Sequence, residues 1–224
     1  DTTSPTCGDA SDSTFWTNSD RVISIKCSDD DCGCTQNTYY KTFTESAKTS
    51  TIKIADKAGR ETECPVNVYV DKDLPTCELE VVGAMESSGW YGTSNAPVVR
   101  FKNKNDTTSG VATYGLGLSK NNPEFNKLDS YIVKEGVSTV FGYVKDNAGN
   151  ECTTNSNFGV DKTAPTAPTV ALVNGDWAEI SNGAWHKTNI YVSGQANSGN
   201  PNPISSDGTN GSGVGYYQIS TDNS

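Results

Sequence analysis

The sequence predicts an all-β chain built from tandem β-sandwich domains. Three observations carry that prediction. Apolar residues alternate in short β-rich runs, turn words recur between them, and one ordered set of landmarks occurs more than once. Hydrophobic residues make up 33% of the 224 and charged residues 20%, both below the usual share in soluble globular domains. Small polar residues and 21 glycines fill the gap, which suits many turns because Ser, Thr, Asn and Asp satisfy turn backbones locally.

The strand candidates are short. "RVISIKC", "APVVRFK" and "TNIYVSG" occupy one slot, and each follows a tryptophan: Trp16, Trp90 and Trp185. "STIKIAD" and "STVFGYVKD" each run into a turn word, "DKAGR" at Asp56 and "DNAGN" at Asp146. Asp146, Asn147 and Ala148 suit a type I turn, with Gly149 in the left-handed conformation as the bulge residue; Gly59 repeats the arrangement. In the strand that follows, "PVNVYVD", Val66, Val68 and Val70 share one face, opposite Asn67 and Tyr69. β-Branched and aromatic residues fill these runs. The best helical stretch is a single short turn near "NPEFNKLDSY".

The linkers align as "DTTSPTC" at Asp1, "DKDLPTC" at Asp71 and "DKTAPTA" at Asp161, 70 and 90 residues apart. Each places proline four residues after aspartate. "SGVATYGLGLS" and "SGVGYYQIS" mark the second and third units, and the first carries "CGCTQNTYYKTF" in that place. The expected domains are therefore 1–70, 71–160 and 161–224. The third is expected to be incomplete, because it lacks the D-x-A-G word. Missing strands would leave an unpaired edge able to recruit a partner strand, and a chain boundary is the plainer explanation.

Seven cysteines accompany one methionine and one histidine. Zinc sites favour paired C-x2–4-C motifs, and Cys32-Gly33-Cys34 is too tight and lacks a partner pair. Redox C-x-x-C is absent. Structural disulfides in an oxidising, extracytoplasmic setting are the favoured reading. Matching places in the repeat pair Cys7 with Cys64 and Cys77 with Cys152, joining first and last strands. Cys27–Cys34 would staple the acidic loop and leave Cys32 odd, although Cys32 and Cys34 can exchange roles in that scheme.

Net charge is −10 with a pI near 4.5. Phosphate backbones and anionic lipid surfaces would be repelled, which speaks against nucleic-acid and membrane partners. No apolar run approaches the roughly 20 residues that span a bilayer. The opening "DTTSPTCGDA" reads as an internal cut or a mature start.

With these residues in order, "SGVATYGLGLS" followed by "YVKDNAGNECTTNSNFGVDKTAPT" resembles the bacterial immunoglobulin-like repeats found in tandem in surface proteins and adhesins. The resemblance spans nearly the whole chain. The first unit departs from it, with "CGC" for "SGV", "DKAGR" for "DNAGN" and "DLP" for "TAP". The resemblance implies tandem Ig-like sandwiches, a cell-surface location and a stalk or adhesin role, with other domains of the same surface protein, a host protein or a glycan as partners. It implies no catalytic residues.

Candidate sites follow the residues. Any Ser-His-Asp or Cys-His scheme must use His186, which sits in a slot filled by Tyr91 or Gly92 in the second unit and so reads as a loop residue. Asp29, Asp30 and Asp31 form an acidic run with hard oxygen ligands of the kind Ca²⁺ takes; a solvated loop of Asx turns is the simpler reading. Asp71, Asp73 and Asp161 in the linkers, with Asp56 and Asp146 at the hairpins, form a second calcium candidate at the joints, against a capped turn stiffened by proline. Trp16, Trp90, Trp185 and Tyr91 offer sugar-stacking faces, with Trp177 and Trp185 the best placed, although repetition at one slot also favours packing. An isopeptide trio cannot be nominated. Asn105 and Asn210 are acceptors only in a glycosylating host. The expected function is non-enzymatic: a stalk or adhesin module. A glycan-binding module of a secreted polysaccharide-active enzyme and a strand-exchanging fibre subunit are the alternatives.

Overall fold

The computed structural model describes residues 1–86, 89–92, 96–167, 171–174, 176, 178, 180 and, as backbone, 191–193. The chain forms two compact units of interleaved segments. The first holds Asp1–Val81, Val99–Tyr131 and Thr139–Ser156; the second holds Val82–Val98, Ile132–Ser138 and Asn157–Ser224. Among the described residues every regular element is a strand, and no helix occurs.

In the first unit, β1 (Thr6–Ala10), β2 (Arg21–Ser28) and β3 (Thr38–Phe43) form one antiparallel sheet, and β4 (Ala47–Ala55) pairs with β5 (Glu61–Val70) in another. Their inward residues build a single cluster. β2 contributes Ile23 and Ile25, β3 Phe43, β4 Ile52 and Ile54, and β5 Cys64, Val66, Val68 and Val70. The alternation in "CPVNVYV" thus becomes a buried face, with Asn67 exposed between two buried valines. Each valine or isoleucine taken from water is worth roughly 1.5–3 kcal/mol.

Further along, β6 (Thr76–Val82), β7 (Trp90–Tyr91), β8 (Val98–Asn105), β9 (Val111–Gly117), β10 (Ser130–Ile132), β11 (Thr139–Asp146) and β12 (Glu151–Asn157) follow. They make sheets in the orders β10-β8-β6 and β12-β11-β9. Gly142 of β11 lies against Leu79, where an added Cβ would meet Leu79 Cδ2 at 2.9 Å. The segment expected to hold a helical turn forms no helix and instead runs beside β9, where the Lys127 amide, at φ = 58°, donates to the Tyr114 carbonyl at 2.8 Å. Asn126 accepts from the Leu116 amide at 3.3 Å and donates to the Leu116 carbonyl at 2.9 Å, so one side chain imitates a neighbouring strand. This non-local pairing satisfies backbone groups that a lone helical turn would leave open.

In the second unit, β7 pairs in parallel with β13 (Gly159–Val160), and β14 (Ala171–Val173) pairs antiparallel with β15 (Tyr191–Ser193). Among the described residues of this unit, Tyr91, Val133, Val160 and Val173 are buried.

Three disulfides staple the strands. Cys7–Cys64 joins β1 to β5, Cys77–Cys152 joins β6 to β12, and Cys27–Cys34 closes the acidic loop after β2. Cys32 is a free, half-buried thiol. Such bridges fit an oxidising compartment. No helix of the described residues is long and apolar enough to cross a membrane.

Candidate metal centre

Where β5 hands the chain to β6, three carboxylates converge. Asp71, Asp106 and Asp146 each place one oxygen within 4.8 Å of the others. Asp71 is fully buried and Asp146 is 2% exposed, while Asp106 is half-buried.

Local chemistry places each acid. Asp71 follows the last buried valine of β5, and its amide donates to the Thr17 carbonyl at 2.9 Å. Its Oδ1 accepts from the Asp73 amide and its Oδ2 from the Ser109 amide, both at 3.0 Å. Asp106 opens the loop "DTTSG". Its Oδ1 accepts from the Thr108, Ser109 and Gly110 amides at 3.2, 2.8 and 2.7 Å. Asp146 heads the hairpin turn, and its Oδ1 gathers the amides of Ala148, Gly149 and Asn150. Gly149 takes φ = 99°, a conformation that costs glycine little. Asn150 closes the arrangement: its Nδ2 donates to Asp146 Oδ2 at 2.7 Å and to the Asp71 carbonyl at 3.0 Å.

Every hydrogen bond to these carboxylates comes from an uncharged donor. Among the described residues, none of the three acids forms an ion pair. Oxygen-only ligands with capacity to spare suit a hard cation such as Ca²⁺ rather than a soft one.

A related constellation lies at the other end of the β1–β5 half. Asp1 Oδ1 accepts from the Thr3 amide at 2.7 Å, as Asp71 does from Asp73. Asp29 Oδ1 accepts from the Cys32 and Gly33 amides at 2.9 and 2.8 Å, as Asp106 does from Ser109 and Gly110. The Lys57 amide donates to the Gly33 carbonyl at 2.9 Å, and the Asn147 amide donates to the Gly110 carbonyl at 3.0 Å. Cys32 therefore stands in the place of Ser109, and it clusters with Asp1 and Asp29. Here a guanidinium closes the set. Arg60 Nη2 lies 2.8 Å from Asp1 Oδ1, and Nε lies 3.4 Å from Asp56 Oδ2, which accepts no hydrogen bond. Burial pushes the Asp29 carboxyl up, but the Gly33 and Cys32 amides outweigh it, and the group sits below its usual value.

The sequence candidates separate accordingly. Asp71 and Asp146 meet, with Asp106 as a third member that the sequence reading passed over. Asp56 and Asp29 lie in the other constellation. Asp30 and Asp31 are exposed and line the same cavity as Asp29 without joining either cluster, and Asp31 Oδ2 accepts from Thr3 Oγ1 at 2.5 Å. Asp161 is buried in the second unit, where its amide donates to the Tyr91 carbonyl and its Oδ1 accepts from the Thr163 amide, both at 3.0 Å. Trp16 packs edge-on against Tyr69 with centroids 5.1 Å apart, and the Trp90 ring covers Gly159. Trp177, Trp185, His186 and Asn210 lie outside the described residues. No family model matches this chain, and no curated protein matches it.

Proposed function

We propose that the chain is a non-enzymatic extracellular segment of tandem Ig-like domains, acting as a stalk or adhesin module of a bacterial surface protein. The observation that carries this reading is the use made of the repeated landmarks. Tryptophan, linker aspartate and turn aspartate each recur, and among the described residues they serve the frame: Trp16 packs edge-on against Tyr69 and Trp90 against Gly159, while Asp56 and Asp146 accept the amides of their hairpin turns. Repeated side chains spent on the frame support a scaffold assembled from like parts, in which each part contacts its neighbours. The long disulfides support an extracellular setting, and the sequence resemblance supports the surface-protein role.

The test is a screen of the folded chain against extracellular-matrix proteins and glycans, with calcium and with chelator. Saturable binding to a matrix protein supports the adhesin arm, and silence in both conditions supports the spacer arm. Turnover of a polysaccharide, or glycan binding lost on Trp185→Ala, overturns the reading in favour of a module of a polysaccharide-active enzyme.

A further inference from the structure

The two related stretches of chain part at one strand. After Gly110 the chain enters β9, which pairs antiparallel with β11 from Val111 opposite Asp146 to Gly117 opposite Phe141. After Gly33 the first half begins the same course. Cys34 stands opposite Asp56, and the Thr35 amide donates to the Ala55 carbonyl at 3.0 Å. The chain then turns away, and β3 pairs with β2 instead. The sheet β12-β11-β9 therefore has a counterpart of two strands, β4-β5. Among the described residues no strand lies against the side of β4 that matches the β9 side of β11.

The open groups can be named. In an antiparallel ladder, alternate residues turn their amide and carbonyl towards the partner strand and away from it. Thr51 stands opposite Pro65, which has no amide to give, and the Thr51 carbonyl accepts from Lys41 Nζ at 3.0 Å. Ala55 also points away from β5: Tyr39 Oη donates to its carbonyl at 2.9 Å and accepts from its amide at 3.0 Å. Thr49 and Lys53 share the parity of Thr51 and Ala55. Among the described residues nothing meets the outward amides and carbonyls of Thr49 and Lys53. The fold does close such an edge elsewhere, since Asn126 and Lys127 cover the free side of β9. An edge left open is a template for an added strand.

Positive charge frames this edge. Lys53 pairs with Glu61 at 2.8 Å, but Lys41 and Lys48 form no ion pair among the described residues and lie over the Phe43 and Tyr69 rings, 4.9 and 5.9 Å from the centroids. Lys41 holds the very carbonyl that an incoming strand needs. An ammonium on a flexible stem can leave a carbonyl for the stronger bond to a carboxylate. Two copies meeting edge to edge would bring their lysines together, and edge lysines discourage that pairing.

We propose that the outer edge of β4, from Thr49 to Lys53, docks an extended acidic segment of a partner protein, which adds as an antiparallel strand and offers a carboxylate to Lys41. The course of β9 along β11 sets the direction of the added strand. This site goes beyond the stalk reading and does not depend on it, because a strand-accepting edge is compatible with any function of the chain.

The test uses the whole chain, isotope-labelled for amide spectra, and a blocked peptide of alternating glutamate and valine. Its lysine–valine counterpart is the control. The acidic peptide should shift the amides of Thr49, Thr51 and Lys53, and the basic one should bind about tenfold more weakly or worse. Thr51→Pro removes the outward amide at a position where proline costs no ladder bond, and it should abolish binding. Lys41→Glu should weaken the acidic peptide and favour the basic one. If T51P fails to fold, K41E keeps the test open. No binding to folded wild type at peptide concentrations up to about 1 mM overturns the site. So does binding that leaves the Thr49 and Lys53 amides unshifted, or that persists unchanged in T51P. Equal binding of both peptides overturns the acidic character of the partner. Dimers of the chain alone that T51P abolishes would assign the edge to a second copy and overturn the partner named here. None of these results touches the ligand screen on which the stalk reading is judged.

Discussion

The β1–β5 half and the β6–β13 stretch use the same devices with different side chains. In the first, a tryptophan meets Tyr69, which is held at φ = 52°; in the second, a tryptophan meets Gly159, where a Cβ would stand 2.6 Å from the ring. In the first, the joint acids share a guanidinium; in the second, an amide takes that place. One long disulfide occurs in each, and the short one occurs only in the first. The difference teaches that the backbone task of a position persists while its chemistry is exchanged. A slot reads as "bridge the turn to the linker" or "cover the strand end", and arginine, asparagine, tyrosine or glycine can each fill it.

The largest effect should be the one the two stretches share. Removing Cys7–Cys64 or Cys77–Cys152 as a double Ala variant frees loops of 57 and 75 residues, and the chain-entropy relation gives about 4 kcal/mol for each. Chemical denaturation should show equal losses, and a loss confined to one bridge breaks the parallel. Next comes the asymmetric change. Arg60→Ala leaves buried Asp56 without its partner and should cost about 3 kcal/mol or more. Asn150→Ala removes two buried hydrogen bonds and should cost about 1–3 kcal/mol in chelator. Equal losses in urea melts would erase the distinction between the joints. Opening the short Cys27–Cys34 bridge frees a separation of only 7 residues and should cost about 2.5 kcal/mol. The smallest effects concern the tryptophan slots. Gly159→Ala drives a Cβ into Trp90 and should destabilise by about 1–3 kcal/mol. Tyr69→Gly trades an aromatic contact for relief of its backbone and should stay within about 1 kcal/mol of wild type. A loss at Tyr69→Gly larger than at Gly159→Ala would reverse the reading of the slot.

Local features were the legible ones. The valines of "CPVNVYV" alternate in sequence and all face the cluster, because a strand has period two wherever it lies. Gly59 and Gly149 mark their turns, because a positive φ at that position favours glycine. Asp71 and Asp146 could be named together because both sit at landmarks. Asp106 could not, because its approach depends on the register of β9 against β11, which no local pattern encodes. A signal did exist: "DDDCG" and "DTTSG" share an aspartate three residues before a Cys-Gly or Ser-Gly pair. The same alignment would have explained Cys32 as the counterpart of a serine. The role of Arg60 was hidden too, since a long side chain reaches far from its place in sequence. The course of 122–129 was hidden because it is held to β9 through one side chain, Asn126, and not through a strand pattern.

The long bridges have a consequence for a chain pulled from its two ends. Tension entering near Cys7 crosses to Cys64 through covalent sulfur, and tension entering at Cys77 crosses to Cys152 in the same way. The residues enclosed carry none of it. At about 3.4 Å per extended residue, about 190 Å of contour in the first loop and about 250 Å in the second stay out of reach while the bridges hold. Between Cys7 and Cys152 the chain behaves as a tether of nearly fixed length. Reductant would convert it into an extensible one.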